Sequence, residues 1–240
     1  MSTEEMIAWE ISIRDFFSKT QSEEEILTNS VKLTNELNFD FFAYELYKAT
    51  PFTRPKTYVY SNYPNEWLRQ CREKNYVIED PRIQHSKVSN DTLRWSDELF
   101  KDFPTLRANA RKLGLSYGLT QPSFRFHGVV GLFTLARKNT HITKIELEYL
   151  QPKILIFSDI VRTQLIGPNS EIFTQQKIEF SRREKEVLRW TADGKTSTEI
   201  GIILNLTADA INFHHKKIQR KIGANNRVQA IAYAIARGYI

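Results

Sequence analysis

The sequence predicts a chain of α+β class in two parts. The first is an α/β/α sandwich with an antiparallel sheet. The second is an all-α unit of four helices containing a helix-turn-helix. Three observations predict this. Over residues 1–166, helical patterns are followed by several strand-like runs and then by a long helical pattern, the order of an α+β sandwich rather than of alternating β-α units. The clearest boundary is Gly167-Pro168-Asn169-Ser170, which assigns residues 167–177 to a linker. Residues 178–240 then hold four short helical patterns with turn signals between them.

Each element has a local cause. Ile7, Ile11 and Phe16 fall at helical spacing over Glu4 to Lys19. Ser22 followed by Glu25 has the pattern of a capping box and opens a helix through Leu37. Phe39 to Tyr47 is aromatic-rich and strand-like, Pro51 and Pro55 break the chain, and Thr57 to Tyr60 is a second strand. Asn62-Tyr63-Pro64 forms a turn, with Pro64 placed to start a helix carrying Trp67, Leu68 and Cys71 to about Lys74. Asp80-Pro81 is expected to end that region as an extended or turn pair. A short strand at Leu93 to Trp95 precedes a helix from Pro104 to Lys112, closed by Gly114. Tyr117 to Phe126 and Val129 to Ala136 flank His127-Gly128 as a hairpin. A longer helix covers Thr143 to Leu165, with Pro152 predicting a late start or a kink.

In the last quarter, Thr207 is the expected N-cap of a helix reaching Ile222, and a turn of two or three residues joins it to the helix before, at about Ser197 to Asn205. At about 100° per residue, Ile211, His214, Ile218 and Ile222 share one side, and Asp209, Asn212, Phe213, Lys216 and Arg220 the other. Amide, cation and aromatic groups on one face are what a helix needs to meet base edges in a major groove. Asn212 and Lys216 are the expected base readers, with Phe213 against a thymine methyl or sugar. Lys217, Arg220 and Lys195, with the helix N-terminus at Thr196–Thr198 including Ser197, are expected on phosphate. Charge agrees. From Ile178 onward there are 11 Lys and Arg against 6 Asp and Glu, whereas the remainder has 23 against 22, so the excess that attracts a polyanion sits at one end.

Other classes lack their signatures. One cysteine, Cys71, excludes an intramolecular disulfide framework. The acidic start MSTEEM carries no signal-peptide pattern, and no apolar run approaches the roughly 18 residues of a membrane span, so a cytoplasmic location is expected. The five histidines form no metal-ligand spacing, and no nucleophile elbow or phosphate loop occurs. Neither an enzyme nor a cofactor is expected. A phosphorylation-driven receiver would need an early acidic cluster at strand ends, yet Glu4-Glu5 and Glu23-Glu24-Glu25 lie in helical patterns.

The run RE-x-EVL-x-W-x-A-x-GK, then EI, then NFHxKxxQxKIxAxN resembles the DNA-binding domain of the LuxR family over the last 60 or so residues. Asn62-Tyr63-Pro64, Trp67, Lys74-Asn75, Asp80-Pro81 and Trp95 resemble that family's autoinducer-binding domain, and Pro51-Phe-Thr-Arg-Pro-Lys56 is similar to its SdiA-like members. The resemblance implies a quorum-sensing transcription regulator that binds an N-acyl-homoserine lactone in residues 1–166 and double-stranded DNA through 178–240, as a homodimer. It implies that Trp67 donates its indole N–H to the lactone carbonyl, that Asp80 accepts the ligand amide N–H, that Tyr63 and Thr134 supply hydroxyls, and that Trp95 is a pocket wall. The family usually has tyrosine where this chain has Cys71, a smaller and weaker donor. A different small apolar ligand, or ligand-independent DNA binding, stays open as an alternative. The dimer is expected to use the helix before Leu165 and the last helix, where Val228, Ile231, Ala232 and Ile235 form an apolar stripe, part of which must cover the core.

Overall fold

A computed structural model describes residues 2–126, 128–165 and 178–240, leaving the expected linker at 167–177 and His127 of the hairpin turn outside the described residues. The chain separates into two compact units, one with the sheet and the helices through Leu165, the other with the helices from Arg182 onward.

In the first unit, helices α1 (Thr3–Ser18) and α2 (Glu23–Glu36) precede strands β1 (Phe41–Lys48) and β2 (Lys56–Ser61). Then come α3 (Asn65–Glu73), a single 3-10 turn (Tyr76–Ile78), α4 (Pro81–Val88), β3 (Leu93–Arg94) and α5 (Pro104–Lys112). The hairpin β4 (Tyr117–Phe126) and β5 (Val129–Arg137) leads into α6 (Lys144–Leu165), which continues through Pro152. The strands form one antiparallel sheet in the order β2-β1-β5-β4-β3. Because side chains alternate across a strand, the register that sets Ala43 opposite Thr134 and Glu45 opposite Leu132 puts these four on one face. The other face holds Phe133, whose ring meets Phe157 of α6 at 4.7 Å, and Phe157 in turn meets Phe17 of α1. Both faces are therefore covered, as the sandwich requires.

Two local readings are corrected. Asp80 is extended, as expected, but Asp80-Pro81 opens α4: Asp80 is the N-cap, its carboxylate accepting the Arg82 N–H, and Pro81 occupies the first turn, where a missing N–H costs nothing. The capping box at Ser22 is only half formed, because Glu25 reaches past the cap to the Gln21 N–H.

The second unit contains α7 (Arg182–Ala192), α8 (Ser197–Leu204), α9 (Ala208–Ile222) and α10 (Arg227–Ala236). Ser181, Thr196, Thr207 and Asn226 are their N-caps, each accepting a backbone N–H of the first turn. Val187, Leu188, Ile200, Ile211, Ile218 and Ala234 form the shared core. In α10 the core face is Ala230, Tyr233 and Ala234. Of the expected apolar stripe, Val228 and Ile235 stay exposed.

Candidate ligand cavity and nucleic-acid interface

Between the sheet and the layer of α3, α4 and α5 lies a cavity of about 620 Å³. Its position follows from the alternation of β1, which turns Glu45 and Tyr47 toward it, and from Asn62, which ties the end of β2 to the start of β1. The Asn62 amide donates to the Asp40 carbonyl at 2.9 Å and accepts from the Phe42 N–H at 2.8 Å. The chain leaves this latch directly into Tyr63, Pro64 and α3, so Tyr63, Trp67 and Cys71 line the cavity.

Four of the expected ligand residues, Tyr63, Trp67, Cys71 and Asp80, therefore meet around one space. Tyr63 is buried and its hydroxyl has no hydrogen-bond partner among the described residues. The indole N–H of Trp67 likewise forms no bond among the described residues, and the Trp67 ring packs on Tyr76. Two donors are thus presented without protein acceptors. Burial pushes the Tyr63 phenol above its ordinary pKa and the Cys71 thiol up to about 12, so both stay protonated.

The other two lie elsewhere. Trp95 lines a small recess beside the cavity with Tyr63, Trp67 and Phe100. Its indole donates to Thr120 at 2.9 Å, so it is held as well as packed. Gly118 beneath it accommodates the ring, since a Cβ there would lie 2.7 Å from the indole. Thr134 is fully buried, bonded to Thr120 at 3.1 Å and to Arg82 at 3.3 Å, and does not line the cavity.

Arg82 and Glu45 are the cavity residues that sequence reasoning missed. The buried Arg82 guanidinium donates Nε and Nη2 to both Asp80 oxygens and Nη1 to Glu45 at 2.9 Å, with Trp95 stacked at 5.4 Å. The Asp80 oxygens are thereby engaged by Arg82 before any ligand arrives. Burial, outweighing the attraction of Arg82, raises the Glu45 pKa, and the two carboxylates raise that of Arg82. A signal existed for each: Glu45 is an acidic residue inside an aromatic strand, and Arg82 follows Asp80 at capping distance.

In the second unit, α8, a tight turn and α9 form the helix-turn-helix. Asn205 in the left-handed conformation ends α8, and the Leu206 N–H returns to the Gly201 carbonyl at 2.8 Å. On α9, Asn212, Phe213, Lys216, Lys217 and Arg220 are all exposed. Lys216 and Arg220 have no ion-pair partner among the described residues, and Lys217 sits over the Phe213 ring at 4.9 Å. Lys195 is half-buried, with Glu199 at 3.8 Å. The hydroxyls of Thr196 and Thr207 are taken up in capping, and Glu199 places its own carboxylate on the Thr196 N–H at 2.8 Å, where a phosphate was expected. The Ser197 hydroxyl donates to Asn212 on the exposed side of α9.

The histidine assignment is corrected. His215, 5% exposed, joins Ile211 and Ile218 on the buried face, and His214 lies half-buried beside it. Thr191 Oγ1 donates to the Val187 carbonyl at 2.6 Å, so its contact with His215 Nε2 at 3.4 Å requires the imidazole to donate. Burial and the nearby Arg227 charge lower the His215 pKa to about 4, and the ring is neutral.

A small-molecule cavity in one unit and a basic helix-turn-helix in the other define a ligand-sensing DNA-binding regulator. The chain belongs to the LuxR family: the family described as "Autoinducer binding domain" matches residues 22–164, and "Bacterial regulatory proteins, luxR family" matches residues 179–234. The chain is 44% identical to the transcriptional activator protein PhzR of Pseudomonas fluorescens, over 100% of this chain and 99% of that protein. It is 33% identical to the regulatory protein SdiA of Escherichia coli K12, over 100% of both. A crystal structure of E. coli SdiA matches with TM-score 0.74 at 34% identity, covering 97% of this chain and 98% of that one. SdiA in complex with octanoyl-rac-glycerol matches with TM-score 0.73 at 32% identity, covering 99% of this chain and 97% of that one. Members of this family are transcription regulators, not enzymes. Among the described residues no helix is long and apolar enough to cross a membrane.

Proposed function

We propose that the protein is a cytoplasmic regulator that binds an N-acyl-homoserine lactone in the cavity of its first unit and reads double-stranded DNA as a homodimer through α9 of its second. The observation that carries the ligand assignment is the buried Tyr63 hydroxyl, without a hydrogen-bond partner among the described residues, together with the Trp67 indole on the same cavity lining. An N-acyl-homoserine lactone brings two carbonyls, of the lactone and of the amide, which are the acceptors these donors lack. Asp80 takes the ligand amide N–H by sharing an oxygen with Arg82. Cys71 leaves the wall smaller than a tyrosine would.

A thermal-shift titration tests this. A ligand at a hundredfold excess over Kd stabilises the native state by about 2.7 kcal/mol. N-acyl-homoserine lactones should raise the melting temperature clearly, and the free fatty acid of the same chain length should not, because a carboxylate meets Glu45 and Asp80. Trp67→Phe and Tyr63→Phe each remove one donor and should reduce the shift while the ligand-free protein stays folded. A wild-type protein unmoved by lactones of every chain length sinks the lactone assignment. The competing reading, a different acyl ligand, draws on the octanoyl-rac-glycerol complex of SdiA, and a monoacylglycerol arm of the titration separates the two.

For DNA, Asn212→Ala should weaken binding by about 1–3 kcal/mol and relax preference at one base pair, whereas Lys217→Ala should weaken all sequences alike. An unchanged ranking of operator variants in Asn212→Ala defeats the base-reading assignment. The exposed Val228 and Ile235 on α10 support a dimer contact there, which Val228→Glu should disrupt in sedimentation experiments.

A further inference from the structure

Asn212 is exposed on α9, but its amide is not free to turn. Its Oδ1 accepts from Ser197 Oγ at 2.7 Å and from Arg227 Nη2 at 3.4 Å, and Arg227 Nη2 also donates to Ser197 Oγ at 2.5 Å. Three helices converge here: Ser197 begins α8, Asn212 lies on α9 and Arg227 begins α10. The direction of the chain follows from the donor inventory. A guanidinium has N–H donors and no acceptor, so the Ser197 oxygen must accept from Arg227. Arg227 Nη2 also approaches the same Asn212 atom, where a second donor would be repelled, so that atom is the carbonyl oxygen and it takes the one Ser197 hydroxyl hydrogen. Nδ2 is left with two hydrogens and no partner among the described residues.

We propose that Ser197 and Arg227 are positioning residues that fix which half of the Asn212 amide meets DNA, so that Asn212 selects a base whose exocyclic group is an acceptor, guanine O6 or thymine O4, over adenine or cytosine, whose exocyclic amines are donors. An unconstrained asparagine pairs with adenine through both halves of its amide, accepting from N6 and donating to N7. Here the accepting half is already occupied. The remaining N–H₂ suits guanine O6 and N7 or thymine O4, whereas the N6 of adenine and N4 of cytosine present donors at the same edge. This rests on the reading, made above, that the exposed face of α9 enters the major groove.

The test is selection of bound duplexes from a randomised pool by the full chain, run with and without an added N-acyl-homoserine lactone, followed by sequencing. Asn212→Ala locates the position that depends on this side chain. The wild type should favour guanine or thymine there by about tenfold or more over adenine. Ser197→Ala should let the amide turn, and that preference should collapse toward adenine while the flanking positions keep theirs. Ser197→Thr retains the hydroxyl and should restore the wild-type profile, which a purely packing role for Ser197 would not predict. Arg227→Ala, at a helix start where a cation is not favoured by the helix dipole, should act in the same direction as Ser197→Ala. Adenine selected by the wild type at the Asn212-dependent position overturns the proposal and leaves the groove assignment standing, as does a Ser197→Ala profile identical to wild type. If Asn212→Ala alters no position, or the wild type enriches no sequence, the groove assignment itself fails and the proposal falls with it.

Discussion

A methyl group added at Gly201 would lie 2.6 Å from the Leu206 carbonyl oxygen. Mid-helix glycine ordinarily costs stability relative to alanine, so the sequence alone argues that Gly201→Ala stabilises residues 178–240 unless a neighbouring helix needs the space. The turn reverses the sign, because the chain closes back onto the helix there and backbone cannot yield as a flexible side chain can. Gly201→Ala should lower the melting temperature of the second unit, by about 1–3 kcal/mol in stability. A higher melting temperature would show that the turn relaxes. The same scale governs Arg82. It bridges two buried carboxylates, and removing it leaves both without a counter-charge, a loss of about 3–5 kcal/mol. Arg82→Met should therefore destabilise strongly in a denaturant titration, and Arg82→Met with Glu45→Gln should recover part of the loss. No recovery would mean that Glu45 is solvated well enough to need no partner.

At the scale of an element, α9 serves two faces that differ by one residue in phase. Its buried face carries a neutral imidazole, and this makes the second unit sensitive to acid. The folded pKa of His215, about 4, lies below the ordinary histidine value, so the unfolded chain binds a proton that the folded one refuses. The stability contributed is complete above about pH 6.5 and is lost as pH falls through the interval toward about 4, amounting to at most about 3 kcal/mol. His215→Gln keeps a donor for Thr191 and should flatten this dependence in melts between these pH values. A wild-type melting temperature constant over the same range would show that His215 protonates in place. The strand β1 likewise serves two faces, with Glu45 and Tyr47 on the cavity while its alternate residues pack under the other helical layer.

For the whole molecule, the separation of charge predicts two responses that do not share a salt dependence. The second unit holds nearly all the basic excess, and Lys216, Lys217 and Arg220 stand exposed on its reading helix. A dimer would set six cations, Lys195, Lys217 and Arg220 of each copy, on phosphate, so its affinity for DNA should fall about a thousandfold between roughly 50 and 200 mM salt. The thermal shift produced by a neutral lactone in the first unit should change little over the same range. A lactone shift that falls with salt as steeply as DNA binding would contradict a neutral ligand in this cavity.

Much of this protein was determined by the sequence itself. Local chemistry set the helix starts, since Ser181, Thr196, Thr207 and Asn226 cap whatever follows them. Periodicity marked the strands and the apolar face of α9, whereas the Tyr63, Trp67, Cys71, Asp80 group was expected only from the family resemblance, and the fold brings these four around one cavity. What only tertiary structure decided is of another kind. Adjacent His214 and His215 both fit a helical stripe through Ile211 and Ile218, and Thr191 on a different helix selects His215. Arg82 finds Glu45 across 37 residues and Thr134 across 52, pairings that no local pattern encodes. Ser197 turns its hydroxyl to Asn212 because α8, α9 and α10 meet there. Propensity and capping act within a few residues and leave their mark in sequence, whereas the partner of a buried polar group is set by which distant elements pack against it.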